Sequence, residues 1–421
     1  MPITPSPASP KPLNHASVIL QLVPSAAGLS WLESGQARNA RWRSERAAPP
    51  PARWVLADDT LSADQAYRLA CEGTALLWRG DFQNARQLLQ ALARRADRPA
   101  TRSRKKPVVV SDAAAPAQAF HLHRQAQAQR ARVLSMLLIE LGPDYSIALR
   151  RAPDLRQACE EAWGAAGEGA AGSVCAMREL LGVVSAYEWR KKGIALAALG
   201  DAPANRIHPH YGVFSPVRGE YVDLVANAPL PKSAAPLLAF DVGTGTGVLA
   251  VVLARRGVAR VVATDADPRA LACASENLNR LGLSNRVELC QADLFPEGLA
   301  SIVVCNPPWL PARASSPLEH AIYDEGSRML LGFLNGLAAH LAPGGEGWLI
   351  LSDLAEHLGL RTRSWLLAAI ASAGLVVAGR TDVRPTHPKA SDPADPLHLA
   401  RTRELTSLWR LKAAEPEPGR S

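Results

Sequence analysis

Residues Phe240-Asp241-Val242-Gly243-Thr244-Gly245-Thr246-Gly247-Val248-Leu249 decide the reading of this chain. An apolar run leads into three glycines at alternate positions, and a second apolar run follows them. Glycine tolerates the positive φ of a tight turn and, lacking Cβ, lets a ligand approach the backbone. The stretch therefore reads as a strand, a glycine loop and the first turn of a helix. The spacing departs from the dinucleotide fingerprint GxGxxG, which counted from Gly243 would place its third glycine where Val248 stands.

Outward from this loop, short apolar runs with strand character alternate with helical periodicity. Strands are predicted at 237–242, 260–264, 287–291, 302–305, 348–351, 375–378 and 405–411, with helices at 248–256, 269–281, 328–341 and 361–372. Strands joined through helices of this length pair in parallel by right-handed crossovers, which predicts a doubly wound α/β sheet. The last strand follows a long loop instead of a helix, so an antiparallel entry is expected for it.

The ends of these strands carry matching chemistry. Asp265 closes the second strand, where a carboxylate accepts hydrogen bonds from both hydroxyls of a ribose. Asp293, followed by Leu294, closes the third, placed to receive an exocyclic adenine amine. The fourth ends in Val303-Val304-Cys305-Asn306-Pro307-Pro308-Trp309. Two consecutive prolines cannot pair in a ladder and form a rigid loop at the carboxyl edge of the sheet, where open α/β folds bind ligands. Asn306 and the Pro307 carbonyl offer two acceptors for the hydrogens of a planar amino group, and Trp309 offers a flat face.

Residues from about 205 to 412 resemble a class I S-adenosylmethionine-dependent methyltransferase of the N-methylating group marked by an (N/D)PP(Y/F/W) loop. That group takes in HemK-type release-factor glutamine methyltransferases, rRNA guanine methyltransferases and adenine-N6 methyltransferases. The resemblance implies a seven-stranded, mostly parallel Rossmann-like sheet with S-adenosyl-L-methionine as cofactor. It implies that Asp241, Gly243, Thr244, Gly245 and Gly247 lie along the methionine part of the cofactor, Asp265 on its ribose, and Asp293 with Leu294 at its adenine. It implies Asn306 and Pro307 as the catalytic acceptors, with Pro308 and Trp309 around the substrate nitrogen. Residues 212–220 (GVFSPVRGE) resemble the segment that covers the cofactor in these enzymes. They depart from the glutamine branch, which has Pro-Arg-Pro-Glu-Thr-Glu where this chain has Val217-Arg218-Gly219-Glu220-Tyr221-Val222, and which has Tyr in place of Trp309. The expected acceptor is a macromolecule: a protein glutamine amide, or a base amine of rRNA, tRNA or DNA. A non-catalytic binding module on this fold, or a small-molecule methyltransferase, is the alternative.

The rest of the 421 residues reads differently. Lys and Arg exceed Asp and Glu by 47 to 39, and the excess lies in the first half: residues 1–200 hold 26 basic and 17 acidic side chains, residues 201–421 hold 21 and 22. Residues 1–57, rich in Pro, Ala, Ser and Arg, read as disordered or loosely packed. Residues 58–203 read as a mainly helical accessory domain for substrate recognition. There Ala66, Leu69 and Ala70, then Ala85, Leu88, Leu89 and Leu92, recur at helical spacing, and Asp81 stands as a helix start. Helical periodicity is also read over 120–141, 155–163 and 177–189. The basic residues from 94 to 132 read equally as a track for phosphates or as a solvated basic loop. The catalytic domain is expected at 204–412, with 413–421 a disordered tail. No apolar run reaches the ~18 residues of a membrane helix, and no membrane contact is expected. Six scattered cysteines without a CxxC pair favour reduced thiols in a cytoplasmic protein. The His121/His123 and His208/His210 pairs lack Cys or acidic partners at ligand spacing, so no metal is expected.

Overall fold

In the computed structural model, the described residues are 20–21, 29–98, 115–167, 171–231, 236–314, 317–386 and 392–415. The chain divides into two compact units. One comprises residues 1–101, 129–157 and 166–181, the other 102–128, 158–165 and 182–421.

The first unit is built on a sheet, not on helices. Its elements are β1 (Leu20–Gln21), β2 (Leu29–Glu33), β3 (Gln36–Arg43), β4 (Arg53–Ala57), α1 (Ala63–Cys71), β5 (Thr74–Trp78), α2 (Phe82–Ala96), β6 (Leu137–Leu141) and β7 (Ser173–Ala176). The strands form one seven-stranded sheet in the order β1-β4-β5-β6-β7-β3-β2. This corrects the expectation of a mainly helical accessory domain. The helices α1 and α2 lie where periodicity placed them, and Asp81 caps α2 by accepting the Gln83 and Asn84 amides at 2.8 and 3.4 Å. What periodicity missed were β5 (TALLW) and β6 (LLIEL), almost wholly buried runs too short to show a period. A strand buried on both faces does not alternate, and a short apolar run suits a helix equally well.

The expectation of disorder over residues 1–57 is likewise corrected for the part described. Ser34 and Gly35, both at positive φ, close a two-residue hairpin between β2 and β3, in which Glu33 pairs with Gln36. Despite its three arginines, β3 turns Ala40 and Trp42 toward a core with Trp31 and Trp54.

Helices α3 (Ala115–Leu134), α4 (Arg156–Trp163) and α5 (Met177–Lys192) precede a short ladder of β8 (Ile194–Ala195) and β9 (Arg206–Ile207). The stretch read as helical over 120–141 thus ends with a strand, β6. The remaining elements are α6 (Glu220–Asn227), β10 (Leu238–Val242), α7 (Val248–Arg255), β11 (Arg260–Asp265), α8 (Pro268–Arg280), β12 (Val287–Gln291), β13 (Ala300–Cys305), α9 (Arg328–His340), β14 (Leu341–Ser352), α10 (Leu354–His357), α11 (Arg363–Ser372), β15 (Leu375–Val383), α12 (His398–Arg401) and β16 (Thr406–Ala413). Their sheet order is β12-β11-β10-β13-β14-β16-β15. The first five strands are parallel, and β16 enters antiparallel between β14 and β15.

Alternation along these strands feeds two cores. Ala239, Val261, Ala263, Ile302, Val304, Trp348 and Ile350 face α7, whose residues Val248 to Ala254 are all buried. Phe240, Val242, Val303, Cys305, Leu349 and Leu351 face α9 and α11 through Phe333, Leu337, Leu366 and Ile370. Helices therefore cover both faces, as a doubly wound sheet requires. The expected boundary at 203/204 falls inside this unit, because Ile194, Leu196, Leu199 and Ile207 belong to the α7 core. At the other end β16 runs through Ala413, and residues 416–421 lie outside the described residues.

Candidate active site

The glycine loop folds because all three glycines take positive φ: 72° at Gly243, 55° at Gly245 and 81° at Gly247. The Gly243 and Thr244 amides donate to the Thr264 carbonyl at 2.9 and 2.8 Å, and Gly247 donates to Thr244. Two of the positions are also crowded. A Cβ on Gly243 would meet the Met329 methyl at 2.6 Å, and one on Gly247 would meet Ala274 Cβ at 3.2 Å. At Gly245 nothing stands within 4 Å, so that face of the loop is open.

It opens on a cavity of about 530 Å³. Gly243, Thr244, Gly245 and Thr246 line one end with Asp265, Asp267 and the segment 212–214. Asn306, Pro307, Pro308 and Trp309 line it further along, followed by an apolar wall that includes Phe120, Leu310, Leu354 and Leu397. Four of the sequence-selected strand ends or loops thus share one cavity.

Asp241 is not among the lining residues. Its buried carboxylate faces inward, accepting the Thr244 hydroxyl at 2.6 Å and the Ala250 amide at 3.0 Å, so it holds the loop's shape. Burial pushes its carboxyl up to about 6, against the pull of those hydrogen bonds. Asp265 does line the cavity and takes the amides of Gly245 and Asp267, each at 3.0 Å. Burial raises its carboxyl as well. Asp293 and Leu294 are also absent from the lining. Asp293 is exposed and pairs with Arg328 at 3.7 Å, while Leu294, at positive φ, packs against Gly332 of α9. The turn after β12 thus points both side chains elsewhere.

The Asn306 loop is braced from several sides. The Trp309 indole donates to Asn306 Oδ1 at 2.9 Å, and Arg361 donates to the Trp309 carbonyl at 3.3 Å. Among the described residues no backbone amide donates to the Pro307 carbonyl. One face of Trp309 is taken by the Arg218 guanidinium, whose Cζ lies 4.9 Å from the ring centroid. Arg218 in turn bonds Glu220 at 2.7 Å and Glu404 at 3.0 Å. Arg218 lies within the segment 212–220, and nothing in its sequence neighbourhood marks this role. Glu404 lies 186 residues further on, beyond the reach of any local pattern.

Of the basic residues expected to meet phosphates, Arg124 stacks 4.0 Å over Tyr323 and donates to the Arg313 carbonyl, anchoring the loop after Trp309. Arg130 pairs with Asp97 at 2.7 Å and Arg132 donates to the Cys71 carbonyl. Residues 99–114 of that basic stretch lie outside the described residues. Among the described residues no group of His, Cys, Asp and Glu is arranged to hold a metal ion, and no helix is long and apolar enough to cross a membrane.

Residues 232–307, which carry the glycine loop, Asp265 and the start of the Asn306 loop, match the family described as Ribosomal protein L11 methyltransferase (PrmA). Among curated relatives, the chain is 38% identical over 145 residues to the Ribosomal protein L11 methyltransferase of Pelotomaculum thermopropionicum, covering 34% of this chain and 39% of that protein. It is 42% identical over 115 residues to the Release factor glutamine methyltransferase of Moorella thermoacetica, covering 26% and 41%. The corresponding enzyme of Cereibacter sphaeroides is 38% identical over 121 residues, covering 25% and 43%. The chain spans about two fifths of the length of these relatives.

Proposed function

We propose that this protein is an S-adenosylmethionine-dependent N-methyltransferase whose acceptor is a planar amino nitrogen on a protein. The observation that carries the reading is the single cavity shared by the glycine loop, Asp265 and the Asn306-Pro307-Pro308-Trp309 loop. The relatives, one named a ribosomal-protein methyltransferase and the other a release-factor methyltransferase, support a protein acceptor over a nucleic acid.

The lining suits this cofactor. Asp265 presents a carboxylate to a ribose, the open side of Gly245 admits close approach, and Val213, Phe214 and Ala270 give an apolar slot for a base. Asp241 and Asp265 are both held above the ordinary carboxylate range by burial, so a cationic ligand nearby would favour their ionised forms. The cofactor supplies an electrophilic methyl group on a positively charged sulfur.

The chain's part is alignment, which suffices for an activated methyl. A planar amide or aromatic amine is a weak nucleophile because its lone pair is delocalised. Asn306 Oδ1 has one lone pair committed to the Trp309 indole, and an amide oxygen has two. The free lone pair and the Pro307 carbonyl accept the two hydrogens of the amine. That restores density on nitrogen and points it into the cavity. No strong base is required, since the nitrogen becomes acidic once methylated.

Asn306→Ala is expected to abolish most transfer of tritiated methyl to a total-protein extract while leaving calorimetric affinity for S-adenosylmethionine close to the parent's. Near-parental turnover in that variant would remove Asn306 from the mechanism. Label in the RNA fraction, lost on nuclease treatment, would move the acceptor to a base amine.

A further inference from the structure

Arg218 and Glu404 line the same cavity as the Asn306 loop, and with Glu220 they form a charged cluster behind Trp309. Glu220 and Glu404 are buried carboxylates, their side chains 5% and 2% exposed. They come from distant parts of the unit and converge on one guanidinium. Ser352, at the end of β14, donates a further hydrogen bond to Glu404 at 2.7 Å. Among the described residues neither glutamate has a second ion-pair partner. Buried charges of this kind are costly unless paired, so the arrangement holds Arg218 in one place.

Arg218 is thereby pressed against Trp309, with its Cζ 4.9 Å from the ring centroid. A planar guanidinium on an aromatic face favours stacking, which sets the plane of the ring. That plane in turn aims the indole N–H at Asn306 Oδ1. Indole nitrogen is a donor and nothing else. It therefore decides which end of the Asn306 amide faces it, because a flipped amide would set two donors against each other. A flipped Asn306 would present its NH2 to an incoming amine, and the amine's hydrogens would find no acceptor.

We propose that Arg218, clamped by Glu220 and Glu404, is a positioning residue that fixes Trp309 and through it the acceptor orientation of Asn306. The inference rests on the methyltransferase reading for its kinetic consequence, though the geometry it describes stands apart from that reading.

The test combines a structural and a kinetic readout on the full chain. With ¹⁵N-indole labelling, the Trp309 N–H signal is assigned among ten tryptophans by its loss in Trp309→Phe. In Arg218→Met that signal is expected to move upfield and exchange faster with water, as a released hydrogen bond does. Tritium transfer from S-adenosylmethionine to total cell protein is expected to fall roughly tenfold to a hundredfold, the scale of a misplaced reacting group. Calorimetric affinity for S-adenosylmethionine should stay at the parental value.

Arg218→Lys retains a charge for the carboxylates without the planar fork and should fall between parent and Arg218→Met in both readouts. It also decides the question if Arg218→Met does not fold. An unchanged indole signal in the folded variants overturns the proposal. So does a loss of transfer matched by an equal loss of cofactor affinity, which would place Arg218 on the cofactor. If the parent transfers no label while the indole signal still responds, the reaction reading fails and the positioning network stands.

Discussion

At the scale of single residues, Asp241 shows how a motif residue acquires a role that sequence does not reveal. Its place before the glycine loop suggested contact with the cofactor, yet its carboxylate turns inward to Thr244 and Ala250. Burial raises its folded-state value from 3.8 to about 6. The folded protein then binds more protons than the unfolded chain between those values, so this group's stabilising contribution is complete below about pH 4 and is lost as pH rises through about 6. Taken at 1.36 kcal/mol per unit, the loss is roughly 3 kcal/mol. Urea titrations at pH 4, 5, 6 and 7 should show the parent losing stability relative to Asp241→Asn by about that amount. Parallel pH profiles for the two proteins would refute the assignment. By contrast Asn306 was legible from sequence, because two prolines after a strand confine it to the carboxyl edge whatever surrounds it. Its bond to Trp309 depends on how the loop turns in three dimensions.

At the scale of elements, the three loop glycines share a positive φ but differ in what surrounds them. Gly247 packs on Ala274 of α8, whereas Gly245 faces open space at the cavity. Gly245→Val should therefore lose S-adenosylmethionine affinity at least tenfold, the side chain projecting where the ligand approaches. Its stability should fall only by the ~1–2 kcal/mol of a left-handed backbone residue. Gly247→Val should pay that and a packing penalty, so its thermal midpoint should be the lower of the two. Calorimetry with cofactor and thermal denaturation, run on both, separate these outcomes; an equal effect on both quantities in both variants would contradict them. Strands β10 to β16 were readable because helices and turns punctuate them, although β14 begins seven residues before the strand expected at 348. The strands of the first unit were not, since β5 and β6 are short, buried and unpunctuated by any glycine loop.

At the scale of the molecule, two sheets of seven strands each present a carboxyl edge, and the two edges differ. In the second unit it carries glycines and a cavity. In the first it is filled by the protein's own charges. A Cβ on Gly80 would strike Asp59 at 2.5 Å, while buried Asp81 bonds Arg151 at 2.6 Å and Arg150 at 3.1 Å. The Arg151 guanidinium holds the Asp81 carboxyl well below the usual carboxylate range. Asp81→Ala removes both ion pairs and the cap of α2. The α2 amides should then exchange with deuterium faster, and Asp81→Asn, which keeps a capping oxygen, should recover part of the protection. Unaltered exchange in Asp81→Ala would mean the cluster contributes nothing to that helix.

The sequence by itself determined the second unit's strand-and-helix order, the antiparallel last strand, the glycine loop and the Asn306 loop. Each of these rests on local rules: periodicity, backbone freedom at glycine, and the restrictions of proline. Tertiary structure alone decided the sheet in the first unit, the inward turn of Asp241, the displacement of Asp293 and Leu294 from the cavity, and the clamp on Arg218. Those depend on which side chains meet across long separations, as Arg218 meets Glu404. A one-dimensional pattern records how a residue relates to its neighbours in sequence, while burial and pairing are set by neighbours in space.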